Sequence, residues 1–298
     1  MPRLFSAYVI VDWSAASKPT TGADSIWIGV VRRDVRFRLM FESYNEATRT
    51  AAEARLTGIL ADLKKRSERA LVGFDFPLGF PRGFAGALKL KGEPWRGAWD
   101  ELGKRVVDKP TNVNNRFNVA AQLNRLLTDG PFPFWGAPPK DVQTTLAATK
   151  PRAHGAGDLP EFRHADIAAK GAASIWKTYY NGSVGGQAIM GIPLVRRLRD
   201  ARADAAKVWP FETGFTALTE ADLEGVDVVF AEVYPSLIKG AALPGEVKDL
   251  TQVRTTAEHF AKLDEANKLG EVFAPPKGTP ADAVLDAECE EGWILGAG

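Results

Sequence analysis

Residues 8–15 read YVIVDWSA, and residues 71–78 read LVGFDFPL. Each is an apolar run stopped by one aspartate, Asp12 in the first and Asp75 in the second. Short runs rich in Val, Ile and aromatic residues are typical of buried strands. A buried, ionised carboxylate without a partner is costly, so these two acids need a chemical reason to end a strand. Because ligands of open α/β sheets bind at strand ends, we expect Asp12 and Asp75 to mark a site.

A mixed sheet is predicted around these two runs. Residues 7–13 and 26–33 have strand composition, and residues 35–43, which include Val35 and Phe37, alternate in polarity as a half-buried strand does. Together they predict an antiparallel three-strand meander. The other predicted elements, in chain order, are a helix capped by Asn45 and ending near Arg66, a strand at 70–76, a helix at 115–129, a helix opening with Pro193 and running to 207, a strand at 226–235, a helix at 251–269 stopped by Gly270, and a helix capped by Thr279.

Residues 78–190 break this regular pattern. Prolines, glycines and several tryptophans collect there, and the stretch is too long for a bare loop in a compact domain. We therefore predict a single domain spanning residues 1–298, with a mostly helical or irregular insertion at about 78–190 over one end of the sheet. We expect the tryptophans of this region and its border to form a small core, with base stacking as the alternative: Trp95, Trp99, Trp135, Trp176 and Trp209.

The composition is that of an ordinary globular protein. Hydrophobic residues make up 45% of the 298 residues and charged residues 25%. Lys and Arg total 38 against 37 Asp and Glu, so no net field steers the chain to nucleic acid or to an anionic membrane. The single cysteine, Cys289, excludes an internal disulfide and suits a reducing compartment. Since no apolar stretch approaches the length of a membrane span, we expect a cytoplasmic location and no membrane partner.

Four short motifs follow one another along the chain: IVDWSA, GFDFPLGFP, AEVYPSL and PADAVLDAE. Together they resemble the family called domain of unknown function 429, which is predicted to be a ribonuclease H-like nuclease. The resemblance covers most of the chain outside residues 82–190. It implies an α/β fold of the ribonuclease H-like superfamily, with a mixed five-stranded sheet of a three-strand antiparallel meander plus parallel strands. Helices flank that sheet, and the insertion follows strand four.

The resemblance also implies a cluster of acids: Asp12, Asp75, Glu232 and Asp286. If strand one lies between strands two and four, the first two acids are neighbours. Close carboxylates repel each other, and Mg²⁺ or Mn²⁺ relieves that repulsion. Two such ions, about 4 Å apart, serve in-line phosphodiester cleavage. We therefore expect a metal-dependent phosphodiester hydrolase, a nuclease, whose substrate is nucleic acid or nucleotide-like.

Three of these positions have structural alternatives. Asp12 also suits an Asx-type turn, and Glu232 also suits an ion pair with a core arginine. Asp282, one turn before Asp286, competes with it as the helix ligand and also suits a capping box with Thr279. No histidine that could act as a general base stands beside this last motif in the sequence.

Three cations are candidate substrate contacts: Lys18, Arg116 and Lys177. Arg116 lies at a predicted helix start, where free N–H groups bind phosphate, with plain capping as the alternative. Lys177 precedes the stretch GSVGGQ at 182–187, which matches no P-loop and otherwise suits a flexible turn. Two further groups have weaker signals, a possible transition-metal set at His154, Asp158, His164 and Asp166, and a possible nucleic-acid contact at Arg32, Arg33, Arg36 and Arg38.

Two other functional classes remain open from the sequence. One is an ATP-dependent phosphotransferase of the actin and sugar-kinase type, in which DWSAASK would place Lys18 near the γ-phosphate. The other is a non-catalytic binding protein on the same fold. Stabilisation by ATP would favour the first, and the absence of any response to Mn²⁺ or Mg²⁺ would favour the second.

Overall fold

A mixed sheet of six strands lies at the centre of the computed structural model, which describes residues 3–34, 36 and 38–298. Its strands are β1 Ala7–Asp12, β2 Ile26–Arg33, β3 Leu39–Glu46, β4 Ala70–Phe74, β5 Ala206–Val208 and β6 Val228–Glu232. The strand order is β3-β2-β1-β4-β6-β5. β1, β2 and β3 pair antiparallel, whereas β4, β5 and β6 join the sheet in parallel.

Helices flank the sheet. They are α1 Arg49–Lys65, α2 Phe84–Ala87, α3 Pro94–Arg105, α4 Arg116–Thr128, α5 His164–Ala168, α6 Gly185–Asp200, α7 Lys248–Glu265, α8 Leu269–Val272 and α9 Ala281–Asp286. A π-helical turn, Ala287–Glu291, continues α9. None of the helices in the described ranges combines the length and the apolar composition needed to cross a bilayer.

The two faces of the sheet are covered by different parts of the chain. Successive residues of a strand point to opposite faces, and β1 is buried on both. Val9 belongs to the same buried cluster as Leu56 of α1. Ile10, one step along, belongs to the cluster that contains Val253 of α7. The continuous apolar composition of β1 follows from this double cover.

The predicted meander and the central pairing of β1 are confirmed. β1 lies between β2 and β4, which the resemblance required for the two aspartates to meet. The third strand is described from Leu39 onward, and the predicted positions Val35 and Phe37 lie outside the described residues. The sheet has six strands where five were predicted. The extra strand, β5, falls at the end of the helix predicted for 193–207, because its three residues pair with the open edge of β6.

The cap of α1 is three residues later than predicted. Asn45 lies in β3 opposite Trp27, and its amide bonds the loop before β2, accepting from Gly22 N at 2.7 Å. Thr48 is the cap residue, and its hydroxyl accepts from Ala51 N at 3.2 Å. The strand therefore continues through residues whose composition suited a helix start.

α6 begins eight residues before the predicted start at Pro193, which lies inside the helix. The preceding glycines were interpreted as a turn. A Cβ at Gly185 would clash with the carbonyl oxygen of Ile175, and one at Gly186 would lie 2.7 Å from the carbonyl oxygen of Thr178. Glycine is therefore required because the first turn of α6 packs directly on the backbone of residues 175–178.

The C-terminal helices also differ from the predicted boundaries. α7 begins at Lys248 and ends at Glu265, and Gly270 lies inside α8. α9 has no side-chain cap. The Thr279 hydroxyl donates to Pro276 O at 2.7 Å, and Asp282 accepts from its neighbour Ala283 N, so the capping box predicted for these two residues is not formed.

Residues 78–190 contain α2 to α5 and the first turns of α6. The aromatic residues of this region are packed tightly, with Phe80 and Phe84 stacked at 4.1 Å between ring centroids and Trp176 beside both. These side chains belong to the same buried cluster as Val9 and Phe74 of the sheet. Of the five predicted tryptophans, four are buried and Trp135 is partly buried.

Candidate active site

Asp12 and Asp75 meet at the carboxyl ends of β1 and β4. The register pairs Val11 with Phe74, and Asp75 N donates to Val11 O at 3.2 Å, so the two aspartates occupy the next step together. Their carboxyl groups are hydrogen-bonded to each other. The backbone N–H of Trp13 donates to Asp75 Oδ1 at 2.8 Å, which fixes the orientation of that carboxyl group.

Ionisation of the two carboxyl groups is disfavoured at this position. Burial raises the pKa of Asp75 to about 7. Burial, followed by the charge of Asp75, raises the pKa of Asp12 well above its ordinary value. Within the described part of the chain, no lysine, arginine or histidine forms an ion pair with either group. When both groups are ionised they repel each other, and no cation of the described residues compensates that repulsion.

A third acid, Asp249, faces this pair from the first turn of α7. Its charge raises the pKa of both Asp12 and Asp75, and it lines the same cleft. Asp249 Oδ2 accepts from Asp24 N at 2.7 Å, which ties the helix start to the loop before β2. Sequence reasoning missed Asp249, because an acid in the first turn of a helix is ordinarily explained by the helix dipole.

The cleft that contains these acids has a volume of about 1050 Å³. One group of lining residues comes from the ends of β1 and β4 and from α7. A second group, residues 178–184 together with Gln187, belongs to the segment that leads into α6. Gln187 Nε2 donates to Trp13 O at 2.5 Å, so the start of α6 is joined to the loop that follows Asp12.

Arg116 also lines the cleft. The residue is only 7% exposed, and its guanidinium group lies 4.2 Å from the ring centre of Phe117. Nη1 donates to two neutral acceptors, Ser17 Oγ at 2.9 Å and Asn114 Oδ1 at 3.0 Å. Burial lowers the pKa of Arg116 to about 10, and no carboxylate within the described ranges forms an ion pair with it. Within the described ranges, Arg116 is therefore a buried cation without a counter-ion, and it lines the same cleft as an acid pair without a cation.

The other two predicted substrate cations do not line this cleft. Lys18 is exposed, and its backbone carbonyl accepts from Asn112 Nδ2 at 3.1 Å. Lys177 Nζ donates to Asn181 O at 2.6 Å, and Lys177 O accepts from Gly185 N at 2.9 Å. Lys177 thus holds together the segment that precedes α6.

Glu232 is turned away from Asp12 and Asp75. The register places it beside Phe74, one step before Asp75, and side chains one step apart point to opposite faces of a sheet. Both of its oxygens accept from Arg163, at 2.7 Å each, and Arg163 also pairs with Asp166 at 2.7 Å. Glu232 therefore forms the ion pair with a core arginine that was the alternative to a role as metal ligand. Its negative charge is neutralised by Arg163.

Asp286 lies in a different cleft, with Arg82. Arg82 Nη1 is 3.0 Å from Asp286 Oδ2, and His164 Nε2 is 3.2 Å from the same oxygen. His164, Asp286 and Glu291 each offer a ligand atom within 4.8 Å of the others. Glu291, however, already accepts from Arg82 N at 2.8 Å and His164 N at 2.7 Å, so protein donors hold this cluster together.

The predicted transition-metal set does not assemble. His154 Nδ1 is 2.7 Å from Leu159 O, while Asp158 forms an ion pair with Arg152. Asp166 pairs with Arg163, and only His164 joins a cluster of possible ligands. His164 is also the histidine beside Asp286 that the sequence did not indicate, since 122 residues separate the two.

Comparisons with known proteins leave the chemistry of the site to be inferred from its own geometry. No protein-family model, no curated protein and no solved structure matches the chain.

Proposed function

We propose that the protein is a divalent-cation-dependent phosphodiester hydrolase, with Asp12 and Asp75 as cation ligands and Asp249 as the third acid of the site. The position of β1 between β2 and β4 supports the ribonuclease H-like fold that the sequence resemblance implies. The proposal departs from that resemblance in its ligands, since Glu232 and Asp286 each have an arginine partner.

The observation that carries the proposal is the contact between Asp12 and Asp75 without a protein cation. Two carboxyl groups held together in the lining of a large cleft are destabilising unless a proton or a cation binds them. Hard carboxylate oxygens fit Mg²⁺ or Mn²⁺, which keep several waters and bind through a few carboxylates. A bound divalent cation there would polarise a phosphoryl oxygen and lower the pKa of water.

The protein's own groups have distinct tasks in this reaction. Trp13 N–H holds Asp75 in one orientation, so the ligand oxygens are preorganised. Asp249 adds negative charge at the cleft and increases the affinity for a cation. Arg116 offers a positive charge to a phosphate that enters the cleft, which favours binding of an anionic substrate despite the four aspartates that line it.

The test compares Asp75→Asn with Asp286→Asn in Mn²⁺-dependent hydrolysis of a phosphodiester and nucleic-acid panel. The first variant removes one charge from the proposed site, and we expect at least a hundredfold loss of kcat/KM and a weaker response of Tm to Mn²⁺. The second alters an aspartate of the other cleft and should keep both properties. Hydrolysis that persists in Asp75→Asn, or stabilisation by ATP without hydrolysis, would overturn the proposal.

A further inference from the structure

Two kinds of unpaired donor lie side by side at the edge of the cleft, which Gln187 and Arg116 line. The first is the start of α6, a helix of 16 residues without a side-chain cap. The backbone N–H groups of Gly186 and Gln187 have no acceptor in the parts of the chain that the structure describes. Such groups, with the helix dipole behind them, attract anions.

The second donor is Arg116. Its Nε is fully buried and has no hydrogen-bond partner, and the residue as a whole is 7% exposed. A Cβ placed on Gly186 would lie 3.5 Å from Arg116 Cδ, so the arginine side chain passes directly along the first turn of α6. Buried arginines ordinarily have an anionic partner, and this one faces free helix N–H groups instead.

We propose that Arg116 and the N-terminus of α6 bind a second, non-scissile phosphate of the substrate. The inference rests on the proposed function, which assigns the scissile phosphodiester to Asp12 and Asp75. A substrate that fills both positions carries at least two phosphate groups in one chain. The substrate class is therefore an oligonucleotide, and compounds with a single phosphate group are poor substrates.

An exposed aromatic residue beside this subsite supports a nucleotide ligand. Tyr180 lines the cleft, is 47% exposed and has a φ of 72°, a left-handed conformation that is uncommon for a bulky residue. Its ring centre is 4.7 Å from that of Tyr179, which packs on Phe117, the neighbour of Arg116. In proteins that bind single-stranded nucleic acid, aromatic side chains beside a positively charged groove stack on bases irrespective of sequence.

Binding of inorganic phosphate, measured by calorimetry in EDTA, tests the subsite without catalysis. We expect the wild type to bind phosphate and Arg116→Gln to bind it at least tenfold more weakly. Arg125→Gln, the same substitution at an exposed position of the same helix, should bind as the wild type does. A wild type that does not bind phosphate, or an Arg116→Gln variant that binds equally well, would refute the subsite.

A second measurement uses only the wild type, so its result does not depend on whether a variant folds. In a titration of the wild type with phosphate, the amide resonances of Gly186 and Gln187 should shift more than those at the start of α7. Unshifted resonances at these two residues would contradict the assignment even if phosphate bound elsewhere.

Substrate choice is tested with thymidine dinucleotides that carry or lack a terminal phosphate. In Mn²⁺, the wild type should prefer the phosphorylated form at least tenfold in kcat/KM, and Arg116→Gln should lose this preference. Equal hydrolysis of both forms by the wild type would overturn the inference while leaving the hydrolase proposal in place. If phosphate binds in EDTA but neither form is hydrolysed, the hydrolase proposal fails and the anion subsite stands.

Discussion

At the scale of single residues, the carboxyl group of Asp75 has two opposed roles. Burial raises the pKa of this carboxyl group to about 7 and so disfavours its ionisation, although the hydrogen bonds from Trp13 N–H and from the Asp12 carboxyl group act in the opposite direction. Cation binding needs the ionised form, because a protonated carboxyl group is a poor ligand. The same arrangement that makes the site suitable for a cation therefore makes the cation-free protein less stable when the pair ionises.

This conflict predicts an inverse dependence of stability on pH. Between the ordinary carboxyl pKa of about 4 and the raised value of about 7, the Asp75 carboxyl group holds more protons in the folded protein than in the unfolded chain, so its contribution to the free energy of unfolding falls as pH rises. Asp75→Asn keeps an oxygen for Trp13 N–H and cannot ionise. In EDTA, we expect it to exceed the wild type in unfolding free energy by about 1–3 kcal/mol at pH 8, with a smaller difference at pH 4.

Denaturant titrations at both pH values provide the measurement. Asp204→Asn removes an exposed carboxylate that has no ion pair within the described ranges, and it should follow the wild type at both pH values. A variant Asp75→Asn that is less stable than the wild type at pH 8 without metal would contradict the physical account of the pair.

The sequence predicts the positions of some of these acids in the fold better than those of others. Asp12 and Asp75 each stop an apolar run, and the parallel register that pairs Val11 with Phe74 aligns the ends of both runs and brings the acids together. Glu232 also lies near a strand end, but its face depends on a register that only the folded sheet sets. Asp249 is separated from Asp75 by more than 170 residues and has no local pattern that distinguishes it.

At the scale of elements, the boundary between β3 and α1 shows how tertiary contacts override capping preference. Asn and Thr both suit a cap, and the sequence places Asn45 first. Asn45 is used instead by the sheet and the loop before β2, through bonds of 2.7 Å to Ser25 Oγ and 2.8 Å to Ile26 O. Thr48 is left as the cap because it is the first residue after the strand whose side chain can accept a hydrogen bond.

Substitutions at these two positions should separate the two roles. Thr48→Ala removes the acceptor for Ala51 N and should lower the unfolding free energy by about 1 kcal/mol, while Thr48→Ser should retain it. Asn45→Ala removes three hydrogen bonds that are outside α1. We expect it to increase amide exchange at Gly22 and to leave exchange in the first turn of α1 unchanged. Faster exchange in that turn would identify Asn45 as a cap after all.

The start of α6 and strand β5 could not be predicted from the sequence for a related reason. Glycines are typical of turns, and nothing local indicates that Gly185 and Gly186 are needed for close packing on residues 175–178. β5 has only three residues, too few to show a period of two. Both features depend on a neighbour that is distant in the sequence.

At the scale of the whole molecule, the cleft is assembled from segments that are far apart in the chain. The ends of β1 and β4 supply Asp12 and Asp75, and α7 supplies Asp249. The opposing donors come from the first turn of α6 and from Arg116 at the start of α4. The cleft thus brings together acids that need a cation and donors that need an anion. A divalent cation and a phosphorylated substrate satisfy both needs, and this complementarity links the two proposals.

The contribution of α7 to cation binding gives the last prediction. Asp249→Asn leaves the Asp12 and Asp75 contact in place but removes a negative charge that acts on both, so the Kd for Mn²⁺ at pH 8 should rise roughly tenfold, about 1.4 kcal/mol. The loss should be smaller than in Asp75→Asn, because Asp249 acts on the pair through its charge. Calorimetric titration measures the Kd, and Asp204→Asn is the control for a change of net charge. If Asp249→Asn binds Mn²⁺ as tightly as the wild type, the helix does not contribute to the site, and the cation is held by the strand ends alone.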